Sequence, residues 1–125
     1  MIKFISIFIF IAILFLSTDT RPSAADVSDS QKPEVKHLLE FVETSDCIFE
    51  RNGKKYDAAD GYKHMKRKYW YYRNKITTTE EFIEYSGTKS TRSGKDYLIY
   101  CDNNEPIKSS AWLLEELTRY RNKSI

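Results

Sequence analysis

The sequence predicts a small α+β protein. The expected architecture is a three-stranded antiparallel sheet, a hairpin plus one later strand, covered by about four helices in the order α-β-β-α-α-β-α and closed by one disulfide. Three observations predict it. Asn52-Gly53 lies between two short strand-forming runs, and this dipeptide suits a type I′ hairpin turn because both central positions need φ > 0. Cys47 and Cys101 are the two cysteines of the chain. Apolar residues recur at helical spacing before, between and after these features.

The N-terminal residues bear on compartment. Lys3 precedes a run from Phe4 to Leu16 that is apolar apart from Ser6, and Ser23-Ala24-Ala25 supplies small residues for cleavage. A short basic start and about a dozen apolar residues form the pattern of a secretory signal peptide, whereas a spanning helix needs about 20. Residues 1–25 are thus expected to be removed, 26–32 to be a flexible leader, and 33–122 to form one domain in the periplasm or outside the cell. No transmembrane segment is expected in the mature chain. In that oxidising setting an even pair of cysteines predicts a Cys47–Cys101 bridge.

Charge is uneven although the net value is only +2. Residues 26–50 carry seven acids and two bases, residues 51–75 nine bases and two acids, and residues 76–125 eight acids and seven bases. Such polarity can steer a partner, but the low net charge argues against a dedicated nucleic-acid binder.

The elements follow in order. Pro33 and Glu34 suit the first turn of a helix, and Val35, Leu38, Leu39 and Val42 form its apolar stripe up to about Glu43. His37 lies off that stripe and reads as a solvated surface residue. Cys47 to Arg51 alternates as a strand, Lys54 to Tyr56 returns, and Asp57 with Asp60 caps the longest helix. That helix, about Ala58 to Asn74, turns Ala58, Tyr62, Met65, Tyr69 and Tyr72 towards the core. Thr77 or Thr78, each with a glutamate three residues on, starts a short helix that buries Phe82 and Ile83 and stops at Gly87. Thr88 to Lys95 reads as a loop and Tyr97 to Cys101 as a strand. After the break at Asp102 to Pro106, Ser109 or Ser110 caps a last helix carrying Trp112, Leu113, Leu117 and Tyr120. If the Tyr97 strand pairs antiparallel with the first hairpin strand, Cys101 faces Cys47 and Tyr97 faces Arg51, with Phe49 and Ile99 on the cysteines' side.

Taken together, Leu38 to Tyr56 with its Ser45-x-Cys47-x-Phe49-x-Arg51-Asn52-Gly53 core, then His64-Met65-x-x-Lys68-Tyr69, Thr79-Glu80-x-Phe82-Ile83, Ser93 to Cys101 and Trp112-Leu113-x-x-Glu116-Leu117 resemble the YfeK-like family of small secreted bacterial proteins. Asp96 stands where that family's pattern has proline. The resemblance implies export in a Gram-negative bacterium and paired cysteines, and it carries over no catalytic or binding residue.

Function is read from surfaces. Lys63, Arg67 and Trp70, flanked by Lys66 and Arg73, form a basic aromatic face that could hold anionic envelope components through charge and stacking. The same residues also read as an ordinary solvated face. A second reading is a periplasmic interaction module using exposed tyrosines such as Tyr71 and Tyr85. A small hydrolytic enzyme is the third, and it finds no G-x-S-x-G, H-E-x-x-H or Gly-rich phosphate loop in support. The sequence therefore points to a non-enzymatic binding or accessory protein, with no cofactor and no metal.

Overall fold

In the computed structural model, residues 26–102 and 105–123 are described; the expected signal peptide, 1–25, lies outside them. The order is α1 (Lys32–Thr44), β1 (Ile48–Arg51), β2 (Lys54–Tyr56), α2 (Ala58–Tyr72) with a 3₁₀ turn (Arg73–Lys75), α3 (Thr79–Gly87), β3 (Leu98–Tyr100), β4 (Ile107–Lys108) and α4 (Ser109–Lys123). The sheet has four antiparallel strands in spatial order β2-β1-β3-β4, one more than the expected three. The added strand is two residues long, too short to show an alternating pattern, and it pairs Ile107 with Ile99 and Lys108 with Leu98 along the free edge of β3.

The hairpin and the disulfide form as the sequence predicts. Asn52 and Gly53 both adopt positive φ, 52° and 78°. In the β1–β3 register Phe49 faces Ile99 and Glu50 faces Leu98. One step further each way, Cys47 faces Cys101 and Arg51 faces Tyr97. The two cysteines are bridged with a Cα–Cα distance of 4.6 Å, near the ~4.5 Å of a non-hydrogen-bonded antiparallel pair. The inner face of the sheet therefore carries the disulfide at one end, Phe49 and Ile99 in the middle, and Arg51 and Tyr97 at the other end. This arrangement creates the site described below.

The helices bury their apolar stripes against that face. Leu38, Val42, Ile76, Phe82, Ile83, Ile99 and Leu113 are almost wholly removed from water, each contributing about 1.5–3 kcal/mol by that transfer. Asp57 caps α2 by accepting from the Asp60 amide at 2.8 Å, and Thr78 caps α3 by accepting from the Glu81 amide at 3.1 Å. Gly87 does end α3, but close approach is what requires a glycine there: a Cβ would lie 2.5 Å from Leu113 Cδ1.

Three expectations are corrected. Residues 26–32 are anchored, because Val27 is buried, Tyr69 donates to the Asp26 carboxylate, and Gln31 Oε1 accepts from the Thr79 amide at 2.7 Å. His37 is tied down: it lies 3.1 Å from the buried Glu116 carboxylate and stacks on Tyr120, which α4 brings alongside α1. Ser109 begins α4, but its buried hydroxyl makes no hydrogen bond, so it does not cap the helix.

Candidate functional site

The site grows from the uncapped end of the inner sheet face. Arg51 and Tyr97 project there as register partners, and α2 crosses above them. Gly61 lets the helix approach; a Cβ at that position would come within 2.8 Å of the Phe49 ring. One and two helical turns further on, His64 and Lys68 lie on the same side of α2 and reach the two sheet residues.

These four side chains form one chain of hydrogen bonds. Arg51 Nη1 lies 2.8 Å from His64 Nδ1, His64 Nε2 lies 2.9 Å from the Tyr97 hydroxyl, and Lys68 Nζ donates to that same oxygen at 3.1 Å. The same Nη1 lies 3.4 Å from Nε2 as well, so the guanidinium nitrogen sits against the face of the imidazole. The phenol oxygen thus accepts from Lys68 and meets the imidazole edge. Arg51 Nη2 donates to the Tyr56 hydroxyl at 3.4 Å, with the guanidinium 5.2 Å above that ring. The cluster holds two cations and no carboxylate.

Its electrostatics point the same way. Burial, reinforced by the charges of Arg51, Lys68 and Arg67, pulls the His64 imidazole down to about 4. Burial and then the Arg51 charge lower the Lys68 ammonium, and burial raises the Tyr97 phenol, keeping it protonated. Among the described residues, Arg51, Arg67, Lys68 and Arg92 have no carboxylate within ion-pair distance.

Two adjacent spaces flank the cluster. The outer cleft, about 350 Å³, is walled by Arg67 and Lys68 of α2 and by Ser90, Thr91 and Arg92 of the 88–96 loop, and no carboxylate lines it. That loop is held in place. Asn52 Nδ2 donates to Ser90 Oγ at 3.2 Å, Lys68 Nζ donates to the Lys89 carbonyl at 2.8 Å, and the Tyr72 and Thr91 hydroxyls meet at 3.0 Å. The inner cavity, about 300 Å³, is largely apolar, walled by Phe49, Tyr56 and Met65, with Asp60, Lys63 and Glu50 also on its lining. Ser86 of α3 and Ser109 of α4 line it too, and both hydroxyls are buried without a hydrogen-bond partner. Arg51, His64, Arg67 and Tyr97 line both spaces and so stand at their junction.

The basic face read from the sequence divides. Lys63 and Arg67 border the inner cavity, and Arg67 the outer cleft as well. Lys66 instead sits 5.6 Å above the Tyr62 ring, and Arg73 lies 4.4 Å above Trp70, so those three line neither space. Trp70 and Tyr71 are exposed, whereas Tyr85 is half-buried and packs against the core. Among the described residues no group of three or more His, Cys, Asp or Glu is placed to hold a metal ion, and no helix is long and apolar enough to cross a membrane.

Residues 29–121 match a family of unknown function, DUF5329. The chain belongs to DUF5329. The DUF5329 span includes every residue of the cluster, from Arg51 through Tyr97. The chain is also similar to the uncharacterized protein YfeK of Salmonella typhimurium strain LT2, at 29% identity over 79 residues, which is 62% of this chain and 66% of YfeK. It thus spans just under two thirds of that relative's length. The resemblance to YfeK-like proteins read from the residues therefore holds at the level of family. No solved structure matches this DUF5329 chain.

Proposed function

We propose that this DUF5329 protein is an exported, non-enzymatic binding protein that holds the anionic group, phosphate or carboxylate, of a small molecule or envelope component in the outer cleft. One observation carries the reading: four cations, Arg51, Arg67, Lys68 and Arg92, converge on a cleft whose lining has no carboxylate. A guanidinium fork and an ammonium are the groups that recognise oxyanions, by charge-assisted bonds shorter and stronger than neutral ones. Burial raises the worth of each such bond. His64 acts here as a positioning group. Its ring packs against the Arg51 guanidinium and its basicity is depressed, so it is poorly suited to accept a substrate proton. The apolar run before residue 26 and the Cys47–Cys101 bridge support export.

Titration calorimetry with inorganic phosphate at low ionic strength tests the binding. Wild type is expected to bind and Lys68→Met to lose at least tenfold, with affinity falling as salt rises. Equal affinity in wild type, Lys68→Met and Arg67→Glu, or no binding at all, sinks the reading. Export is checked by N-terminal sequencing of the protein recovered from the periplasmic fraction, expected to begin at Asp26.

A second reading has its own observation. Trp70 is 59% and Tyr71 79% exposed on adjacent positions of α2, which suits a protein-binding patch. Cross-linking in the native compartment that captures one reproducible partner, lost in Trp70→Ala/Tyr71→Ala, is the outcome this reading expects.

A further inference from the structure

We propose that the ligand has two parts: an anionic head held in the outer cleft, and a short apolar body, bearing an oxygen, that enters the inner cavity and hydrogen-bonds to Ser86 and Ser109. The proposal rests on the anion-binding reading and extends it to the class of molecule bound.

The inner cavity is built as a receptor for something less polar than an ion. About 150 Å³ of apolar space is enough to hold a benzene, so about 300 Å³ admits a ring or a chain of several carbons. Phe49, Tyr56 and Met65 supply apolar walls, and such pockets place a few polar groups among them to fix orientation. Here those groups are Ser86 and Ser109, 0% and 1% exposed, with hydroxyls that meet no partner. A buried hydroxyl without a partner is destabilising, and native structures rarely keep one without a use. Two of them lining one cavity, from different helices, mark where a ligand oxygen would complete the hydrogen bonding. Arg51, His64, Arg67 and Tyr97 line both this cavity and the cationic cleft, so the two spaces lie side by side. A ligand with a head and a body attached to each other would reach across these shared side chains to occupy both spaces at once. A free phosphate or carboxylate would fill only the first.

The test compares three probes on the full mature protein: inorganic phosphate, hexyl phosphate and 6-hydroxyhexyl phosphate. Hexyl phosphate is expected to bind at least tenfold tighter than inorganic phosphate, and 6-hydroxyhexyl phosphate at least as tightly as hexyl phosphate. In Ser86→Ala/Ser109→Ala the affinity for inorganic phosphate is expected to be unchanged, while the ratio of hydroxyhexyl to hexyl phosphate affinity falls about fivefold. The melting temperature of the unliganded double variant is expected to rise, since two unpartnered hydroxyls are gone. That measurement also shows that the variant folds. Phosphate and hexyl phosphate binding equally well would overturn the two-part ligand and leave the anion site standing. No binding of any probe would remove the anion site itself. An unchanged hydroxyhexyl-to-hexyl ratio in the double variant would overturn the role given to the serines.

Discussion

At the scale of single residues, His64 is the most informative. Arg51 Nη1 lies 2.8 Å from its Nδ1 and 3.4 Å from its Nε2, and Nε2 lies 2.9 Å from the Tyr97 hydroxyl. Arg51 from β1, Arg67 and Lys68 from α2, and Tyr97 beside β3 face it, and none of them carries a negative charge. The folded protein therefore resists protonating His64 down to about pH 4, whereas the unfolded chain takes the proton near 6.5. Between those values the unfolded state binds more protons, so stability falls as pH drops through that window. Wild type is expected to lose more melting temperature from pH 6.5 to 4 than His64→Gln does, as read by thermal denaturation. A bound oxyanion opposes this depression, so phosphate affinity is expected to increase on acidification in wild type and to respond less in His64→Gln. A helical wheel places His64 and Lys68 between the core stripe and the exposed basic face. Their role stays hidden until the sheet register brings Arg51 and Tyr97 beneath them.

At the scale of elements, α3 and the loop after it set the walls. Gly87 is the contact point of α3 with α4 and α2, where a methyl group would strike Leu113 Cδ1 at 2.5 Å and Met65 Cε at 3.1 Å. Gly87→Ala is expected to cost about 1–3 kcal/mol through overpacking, seen as a melting temperature lower by several degrees. The residues from Thr88 to Lys95 were readable as a loop from composition, but not as a wall of the cleft. What holds them are side-chain bonds from Asn52, Lys68 and Tyr72, partners far away in sequence. Local signals were legible wherever the physics is local: the Asn-Gly turn, the Asp57 and Thr78 caps, and the apolar stripes of the helices. β4 was not, because two residues after Pro106 become a strand only by borrowing the edge of β3. The basic face was legible as charge, yet only Lys63 and Arg67 of its five residues reach the cavities, since helix phase alone does not tell which flank meets the sheet.

At the scale of the whole molecule, the disulfide and the site occupy opposite ends of the same strand pair. Closing a loop across a separation of 54 residues contributes about 4 kcal/mol in the chain-entropy model, a large share of a small domain's stability. Cys47→Ala/Cys101→Ala is expected to lower the melting temperature by about 10–20 °C. Because the bridge pins the slide of β1 against β3, the same variant is also expected to bind phosphate more weakly, even at temperatures where it remains folded. Full binding with lowered stability would separate the two roles. The pairing of Cys47 with Cys101, and of Arg51 with Tyr97, was readable from strand alternation once the turn was placed. The helix that completes the site was not.

The crowding of Arg51, Arg67 and Lys68 around a cleft that lacks a carboxylate has a consequence for how this protein can change. An empty cleft holds like charges together, and neutralising one of them relieves that repulsion. Arg67→Met is therefore expected to melt higher than wild type when unliganded, while being the poorer binder. Selection for robustness alone would erode the cleft, and selection for binding would preserve a fold less stable than its sequence could achieve. A library sorted for thermal resistance without ligand should drift away from a basic residue at Arg67, and the same library sorted with phosphate present should keep it.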